Sequence, residues 1–416
     1  MEPAELEVAV CVVGAGPVGG TLAALLATRG VRTALIDRAA LPPMEHPDFD
    51  GRAYAIAAGS RGVLEAAGVW ARLPDLPGPI TAIRVSDGKL GRPASRLRLH
   101  FDVAEAGLEP RPGLEAFGWM VEARSLRRAL NAHLHALPAL SVFAPAEVTV
   151  RRTNDEAVVQ IAGGPRLSCR LVIAADGRES RLRAEAGIRI TRLRYGQTAL
   201  VGAIAHERAH HGVAVEHFLP AGPFAQLPMS PTDGEANVSA IVWTERDADA
   251  ERLKRLDDDH YGREIARRLG GHLGRIRPIG RRWSYQLSAL YAHRFTATRL
   301  ALAGDAAHGI HPIAGQGLNL GFRDVAALAD GIAGAVARGA DPGGADVLLR
   351  YQRARRPDTM LMLAATDALD RLFSTDNPLL RTARDLGIAA VDRMPPLKRL
   401  FARQAMGLMA MAHPAD

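Results

Sequence analysis

A glycine-rich turn between two apolar runs near the N-terminus constrains the fold most strongly. Residues 8–13 (VAVCVV) are typical of a buried strand, and Gly14, Gly16 and Gly19 follow them in a G-x-G-x-x-G pattern. A helix rich in alanine and leucine comes next, and a second apolar run ends at Asp37. Strand, glycine turn, helix, strand and terminal acid together predict a βαβ unit of the kind that binds dinucleotides.

Each part of this unit has a physical role. The glycines make a tight turn, let the backbone approach a pyrophosphate and let the helix pack closely on the strand. Free N–H groups at the start of the helix bind phosphate oxygens. The Asp37 carboxylate stands where it can accept hydrogen bonds from an adenosine ribose. The alternative is a glycine turn in an α/β fold that holds no ligand.

The rest of the chain alternates between strand-like and helical patterns. Strands are predicted for residues 80–101, 146–161, 171–175, 198–243 and 299–303, and helices for residues 52–70, 124–136, 247–270 and most of the chain after 315. The nucleotide-binding elements are therefore separated by strand-rich stretches. This pattern predicts a discontinuous cofactor domain (1–79, 111–190 and 291–345), an inserted sheet domain (80–110 and 191–290) and a helical C-terminal region (346–416).

Composition excludes several classes of protein. The 52 basic and 45 acidic residues are spread along the chain, and aromatic residues make up only 5% of it, so nucleic-acid binding is not expected. Two cysteines, Cys11 and Cys169, cannot form a disulfide framework or a structural zinc site by themselves. Neither a signal peptide nor a run of 18 apolar residues is visible, which predicts a cytoplasmic protein.

Three glycine and aspartate motifs follow predicted strands: GAGPVG at 14–19, ADGRESRLR at 175–183 and GDAAHGIHPIAGQGLNLGFRD at 304–324. In this order they resemble the FAD-dependent aromatic hydroxylases of the para-hydroxybenzoate hydroxylase fold. The third motif is similar to that of the ubiquinone-biosynthesis hydroxylases, which act on polyprenyl phenols. The resemblance runs from about residue 8 to about residue 408. It implies an α/β fold in which a discontinuous Rossmann-like FAD-binding domain carries an inserted, sheet-rich α+β substrate domain.

The resemblance also implies which residues contact FAD. They are Gly14, Gly16, Gly19, Asp37, Arg38, Arg52, Arg124, Asp176, Gly177, Gly304, Asp305, Pro312, Gly315, Gly317 and Asn319. Arg124 is included because Ala123 stands where the family often has an asparagine. The candidates beside the flavin ring are Pro312, Gly315, Gln316 and Gly317. No catalytic base and no metal site are expected, and His308 and His311 are interpreted as structural.

The chemistry implied by the resemblance belongs mainly to the cofactor. NADPH or NADH reduces the flavin, O2 adds to give a 4a-hydroperoxide, and a hydroxyl group passes to a ring carbon of the polyprenyl phenol. Two other interpretations stay open. The protein could hydroxylate or reduce a soluble aromatic compound, or it could be a non-catalytic flavin-binding member of a biosynthetic complex.

One motif points elsewhere. Residues 206–210 spell H-E-x-x-H, which binds zinc when a helix directs both imidazoles to one side. The preceding residues look like a strand and Gly212 follows closely, so a polar loop at a hairpin is the favoured interpretation.

The C-terminal region suggests a partner. Six of the ten methionines lie between Met360 and Met411, and basic residues alternate with apolar ones near residue 400. This pattern predicts an amphipathic helix, and contact with the inner face of the cytoplasmic membrane, where a polyprenyl substrate resides, is the less favoured of its interpretations. The favoured interpretation is a helix packed on the core or on a second copy in a homodimer, because amphipathicity alone requires only one buried face. A ubiquinone-biosynthesis complex is a further expected partner.

Overall fold

The computed structural model describes residues 5–41, 48–88, 98–105, 113–311, 315–373 and 394–408. Its strands are β1 (Glu5–Val13), β2 (Thr33–Ile36), β3 (Ala53–Ala57), β4 (Gly78–Ile80), β5 (Ala82–Asp87), β6 (Arg98–Asp102), β7 (Gly118–Glu122), β8 (Leu140–Phe143), β9 (Val148–Arg152), β10 (Ala157–Ile161), β11 (Arg166–Ala174), β12 (Ile190–His206), β13 (Val213–Leu219), β14 (Gly222–Met229), β15 (Val238–Arg246), β16 (Ile276–Ala292), β17 (Thr296–Ala297), β18 (Leu300–Leu302) and β19 (His308–Gly309). Its helices are α1 (Pro17–Thr28), α2 (Ala58–Ala66), α3 (Ala123–Leu134), α4 (Arg181–Glu185), α5 (Asp247–Lys254), α6 (Asp258–Leu269), α7 (Gln316–Ala337), α8 (Ala345–Phe373) and α9 (Pro395–Ala405).

The first sheet is parallel at its centre and confirms the α/β prediction. Its strands run β18-β11-β1-β2-β8, all parallel to their neighbours, while β17 and the β9–β10 hairpin add antiparallel pairs. Val13 is paired with Ala174, and Ala174 with Leu302. The carboxyl ends of β1, β11 and β18 therefore lie side by side, and each of the three motifs starts at this edge, where open α/β sheets bind ligands.

Close packing at this edge depends on glycine. A Cβ atom on Gly321 of α7 would lie 2.6 Å from Cγ2 of Val18, and one on Gly304 would lie 3.1 Å from the same atom. The Val18 side chain of α1 thus packs into a notch between Gly304 and Gly321, where a larger residue at either position would clash with it. Since α1 and α7 both begin near this edge, the notch sets the distance between the two helix N-termini.

The second sheet is built mainly from the two strand-rich segments, and β19 of the third motif adds its edge strand. Its order is β19-β16-β12-β15-β14-β13-β5-β6, with β13 and β5 parallel and the other pairs antiparallel. Helices α5 and α6 cover one face, where Leu200, Ile204, Trp243 and Ile265 form an apolar cluster. The opposite face is directed towards the cofactor half of the molecule.

A small third sheet, β3-β7-β4, lies between the two larger ones. Trp119 of its central strand and Phe117, which precedes that strand, belong to an apolar cluster that also contains Ala203 of the second sheet. Ala402 and Met406, from α9 and the residue that follows it, are buried in the same cluster. The C-terminal helix therefore packs on the junction between the two halves.

The predicted helix over residues 52–70 is wrong at its start. Residues 53–57 (AYAIA) form β3, which pairs with β7, and the helix begins only at Ala58. Local alanine content favours helix, but the hydrogen bonds to a strand more than sixty residues later override that preference. Strands β7 and β8 were not predicted. The sequence-based expectations for residues 374–393 and 409–416 lie outside the described residues.

Candidate functional site

The glycine turn leaves space at one position and none at two others. A Cβ atom on Gly19 would lie 1.9 Å from the Gly14 carbonyl oxygen, and one on Gly14 would lie 2.3 Å from the Ala175 carbonyl oxygen. A Cβ atom on Gly16 would meet nothing within 4 Å. Gly14 and Gly19 therefore allow backbone packing, whereas Gly16 opens onto free space, as the close approach of a pyrophosphate requires.

Helix α1 starts as an anion-binding helix should. Gly16 is its N-cap, no described side chain caps it, and its first turn contains no acidic residue. The first N–H groups of the helix are thus available to an external acceptor, and the helix dipole favours negative charge there. These residues fit the pyrophosphate of the predicted FAD.

Asp37 is fixed against the glycine turn. Its Oδ2 accepts a hydrogen bond from the Ala15 N–H at 2.6 Å, and its Oδ1 accepts one from the Ala39 N–H at 2.8 Å. Each carboxylate oxygen keeps a further lone pair that can accept a ribose hydroxyl. Arg38 is exposed beside it.

The second and third motifs are joined by two arginines that sequence reasoning missed. Arg178 forms an ion pair from Nε to Asp305 Oδ2 at 3.2 Å and donates to Ser288 Oγ at 3.0 Å. Arg183 is buried and donates to the carbonyl oxygens of Ala306 and Arg178 at 2.9 and 2.8 Å. Both arginines belong to the ADGRESRLR motif. Their position in the sequence directly after the Asp176–Gly177 pair could have identified them as site residues.

Asp176 and Gly177 lie at the carboxyl end of β11. Asp176 Oδ2 accepts from the Arg181 N–H at 3.0 Å at the start of α4, while its Oδ1 is buried and has no hydrogen-bond partner among the described residues. Gly177 has φ +86° and open space around its Cα. Asp305 is joined to this turn through its ion pair with Arg178, and its side chain is 51% exposed. Its carboxylate is thus accessible to a ligand at the edge of the sheet.

Helix α7 also begins without a cap. Its N-cap Gly315 has φ +62°, no described side chain caps the helix, and a Cβ atom on Gly317 would meet nothing within 4 Å. Gln316 is the first residue of the helix, and Pro312 lies outside the described residues. The start of α7 can therefore stabilise negative charge, which a reduced flavin carries on its pyrimidine side.

Asn319 holds the start of α7 in place. Its Nδ2 donates to the carbonyl oxygens of Ala55 and Gly315 at 2.8 and 3.1 Å, and its Oδ1 accepts from the Ala57 N–H at 2.9 Å. The side chain is almost completely buried. Since the protein itself uses both ends of the amide, Asn319 positions the helix N-terminus through β3.

A buried ionic cluster fixes the third motif. Asp324 of α7 accepts hydrogen bonds at Oδ2 from the Gly304 N–H (2.9 Å) and His308 Nε2 (2.6 Å), and at Oδ1 from Arg355 Nε (2.8 Å). Burial raises the pKa of Asp324, but His308 and Arg355 outweigh it and the pKa is lowered. His308 therefore belongs to the scaffold, in keeping with the structural role predicted for it.

His311 is enclosed by the fold. Its ring is fully buried and meets the Tyr195 ring edge-to-face at 4.9 Å between centroids. Burial lowers the pKa of His311 to about 4, so the imidazole is neutral at neutral pH.

Arg52 and Arg124 lie on the border between the two halves. Arg52 forms an ion pair with Asp50 at 2.6 Å and stacks on the Trp283 ring at 4.1 Å from its centroid. Arg124 is paired with Glu122 at 2.6 Å. Arg52 thus connects the segment before β3 with strand β16 of the substrate sheet.

A row of mostly partly exposed side chains crosses the face of the second sheet that is directed towards the cofactor half. Strand register places one residue from each of seven strands in a single line, here called the groove row: Trp283, Val201, Val242, Ala225, Glu216, Val85 and Leu99. All but Ala225 are partly exposed. Residues two positions away on the same strands, such as Ala199 and Ala203 on β12, are buried. The row is therefore accessible along this face, and we interpret it as the floor of a groove that starts at Trp283 beneath Arg52.

The H-E-x-x-H pattern does not form a helix. His206 ends β12 and β13 starts at Val213, so the residues between them form the loop that the sequence predicted. His206 interacts with Ser239 Oγ and His210 with the Met229 carbonyl oxygen, both at 2.9 Å. Within the described ranges, no group of three or more His, Cys, Asp or Glu side chains is arranged to hold a metal ion. The helices in those ranges include none with the length and apolar character needed to cross a membrane.

Known proteins resemble this chain over nearly its whole length. The FAD binding domain family model matches residues 7–366. Ubiquinone hydroxylase UbiL of Rhodospirillum rubrum is 48% identical over 97% of this chain and 90% of its own. The 3-demethoxyubiquinol 3-hydroxylase of Escherichia coli is 33% identical over 96% of this chain and 98% of its own. Among solved structures, p-nitrophenol 4-monooxygenase PnpA of Pseudomonas putida superposes with a TM-score of 0.76 at 19% identity, covering 98% of this chain and 99% of its own.

The uncapped helix starts, the open glycines and the aligned strand ends agree with these similarities. FAD is the cofactor, with NAD(P)H as reductant and O2 as co-substrate. The chain therefore belongs to the family of FAD-dependent ubiquinone-biosynthesis hydroxylases, and it is an aromatic monooxygenase with the para-hydroxybenzoate hydroxylase fold.

Proposed function

We propose that this enzyme hydroxylates the ring of a polyprenylated phenol in ubiquinone biosynthesis. The observation that carries the proposal is the groove row, in which six of seven side chains are apolar or aromatic. Such a groove favours a neutral ring with an apolar substituent over a highly charged soluble aromatic compound. The names of the similar hydroxylases from Rhodospirillum rubrum and Escherichia coli point to the same substrate class.

The chemistry supplied by bound FAD is acceptance of hydride from NAD(P)H and activation of O2. The residues of the chain bind and orient the cofactor. We infer that the start of α1 holds the pyrophosphate, Asp37 the adenosine ribose and Asp305 the ribityl chain. The start of α7 stabilises negative charge on the ring. The apolar groove keeps water away from the reacting atoms.

A quinone-lipid profile of the native host with this gene deleted tests the proposal. A prenylphenol that lacks one oxygen atom is expected to accumulate, and its structure identifies the ring carbon. Normal ubiquinone levels in a host with no paralogue would contradict the pathway. Hydroxylation of soluble phenols in preference to prenylated ones by the purified enzyme, followed with isotopic O2, would favour the alternative substrate class.

We also propose that α9 lies against the membrane surface. Leu400 and Phe401 are each 46% exposed, and Arg399 and Arg403 are exposed beside them. The opposite side of the helix is buried through Ala402. Apolar and basic side chains together on one exposed face suit an anionic bilayer.

The buried side of α9 contacts the rest of the protein, and these contacts determine which variant can test the membrane proposal. The Met406 carbonyl oxygen accepts the Gly59 N–H at 2.9 Å, and Lys398 forms an ion pair with Glu105 at 3.3 Å. Deleting the helix would thus expose core, so the Leu400→Ser and Phe401→Ser double variant is preferable. It is expected to keep its flavin and to sediment less with anionic vesicles. Unchanged sedimentation, or a change from dimer to monomer in ultracentrifugation, would instead favour a protein partner on this face.

A further inference from the structure

Glu216 is the one ionisable side chain in the groove row. Strand pairing places it between Ala225 of β14 and Val85 of β5. The next members outward are Val242 and Leu99. A carboxyl group therefore lies in an otherwise apolar part of the groove, on the face of the sheet that is directed towards the cofactor.

No described residue offers this carboxyl a hydrogen bond or an ion pair. Three buried acids among the described residues are paired with arginine: Glu245 contacts Arg268, Glu122 contacts Arg124 and Asp324 contacts Arg355. The free energy cost of burying an unpaired acid is normally avoided. Burial raises the pKa of Glu216 to about 7. Groups that destabilise a fold in this way are concentrated at functional sites.

The neighbouring positions limit what the carboxyl can contact. On its own strand and face, Ala214 and Phe218 lie two residues away and are buried. Leu227 of β14 is packed against the apolar cluster of Phe117 and Trp119. The carboxyl therefore faces the groove, where water in the free enzyme or a donor on a bound ligand with an apolar body can reach it.

We propose that Glu216 accepts a hydrogen bond from the hydroxyl group on the ring of the bound phenol and so sets which ring carbon faces the flavin. This assignment rests on the proposed function, because it needs a phenolic substrate in the groove. A hydrogen bond to a carboxylate also draws the phenolic proton away from oxygen, which raises the electron density of the ring. Electrophilic hydroxylation benefits from that density, and no covalent step on Glu216 is involved.

The test compares two ligands on the purified, flavin-loaded enzyme: 2-geranylphenol and its O-methyl ether. The ether keeps the ring and the prenyl chain but has no donor. The change in flavin absorbance on titration gives both dissociation constants. The wild type is expected to bind the phenol at least about tenfold more tightly than the ether, since hydrogen bonds to charged groups are worth that much. The Glu216→Leu variant is expected to bind both within about twofold.

Two further variants keep the test decisive. Glu216→Gln preserves shape and an acceptor, and its preference for the phenol is expected to fall at least threefold. If the leucine variant fails to fold, this variant decides, and an unchanged preference overturns the proposal. Glu235→Gln is the matched control, because Glu235 lies in a turn of the same domain and pairs with Arg277 outside the groove. It is expected to keep the wild-type preference.

The other outcomes are also informative. A wild type without preference for the phenol, or a leucine variant that keeps the preference, overturns the role of Glu216. Equal weakening of phenol and ether would show a purely steric effect and would overturn it as well. Failure of the ubiquinone assignment is recognised separately, since it appears in the lipid profile of the deleted host and not in the ratio of two dissociation constants.

Discussion

The cofactor edge of the first sheet and the groove of the second sheet bind in different ways. At the cofactor edge, the binding elements are backbone N–H groups, open glycines and helix starts, each contained in a short stretch of sequence. In the groove, the binding elements are single side chains from seven strands between Val85 and Trp283. We therefore expect substitutions at the edge to reduce FAD binding, with a loss of stability where backbone packing is also disturbed, whereas substitutions in the groove change ligand preference and leave FAD bound.

The largest effect is expected for Asp324→Asn. Removing the charge leaves Arg355 without its buried carboxylate and weakens the support of Gly304, which should lower the free energy of unfolding by about 3–5 kcal/mol. Flavin content should fall with it. Denaturant titration and flavin absorbance measure the two effects. Asp330→Asn on the same helix is the control, because its pair with Arg29 is exposed and contributes at most about 1 kcal/mol. Equal losses would contradict the cluster's role.

Two substitutions in the glycine turn should have different effects, one on stability and the other on FAD binding. Gly19→Ala places a Cβ atom against the Gly14 carbonyl oxygen and should cost about 1–3 kcal/mol or more. Gly16→Ala meets open space at φ −64°, so its stability without FAD should stay near that of the wild type. Its FAD content after purification should nevertheless be strongly reduced, because the methyl group occupies the path of the pyrophosphate. A Gly16→Ala protein with full flavin content would contradict the position assigned to the cofactor.

Glu216 should make the groove a source of pH-dependent instability. Its pKa is raised to about 7 in the folded protein, so the carboxyl favours folding when protonated, and this contribution is lost as the pH rises through 7. At pH 8, Glu216→Gln should therefore be more stable than the wild type by about 1–3 kcal/mol, allowing for partial exposure. The free energies of unfolding of the two proteins should become equal near pH 4.5. Urea titrations at both pH values check this, and a constant difference would count against the burial of the carboxyl.

The smallest effect is expected where the two halves meet at the surface. Arg178 connects Asp305 with Ser288, but its side chain is 36% exposed and that of Asp305 is 51% exposed. Arg178→Met should change the free energy of unfolding by less than about 1 kcal/mol. Thermal melts of the flavin-free protein measure it. A loss above about 2 kcal/mol would show that the border is more strongly coupled than the exposed pair suggests.

The same contrast explains what could be predicted from the sequence. The βαβ unit and the three motifs were recognisable because each is a run of adjacent residues with its own periodicity. Strand β3 was mistaken for helix because its pairing partner β7 lies far along the chain. The groove row was invisible, since only strand register brings Glu216 and Val242 into one line. Asn319 was expected to contact FAD, and the contacts that the structure gives it are to the protein.

The docking of α9 provides a chemical reporter. The chain contains only three lysines, Lys89, Lys254 and Lys398. Lys398 lies in α9, where its side chain is 19% exposed and paired with Glu105, whereas Lys254 is paired with Glu251 on α5 and is 39% exposed. Acylating reagents attack only the free amine, so the rate at which Lys398 is labelled relative to Lys254 measures how often the C-terminal helix detaches. Two peptides in a mass spectrum would thus follow that motion as substrate or lipid is added.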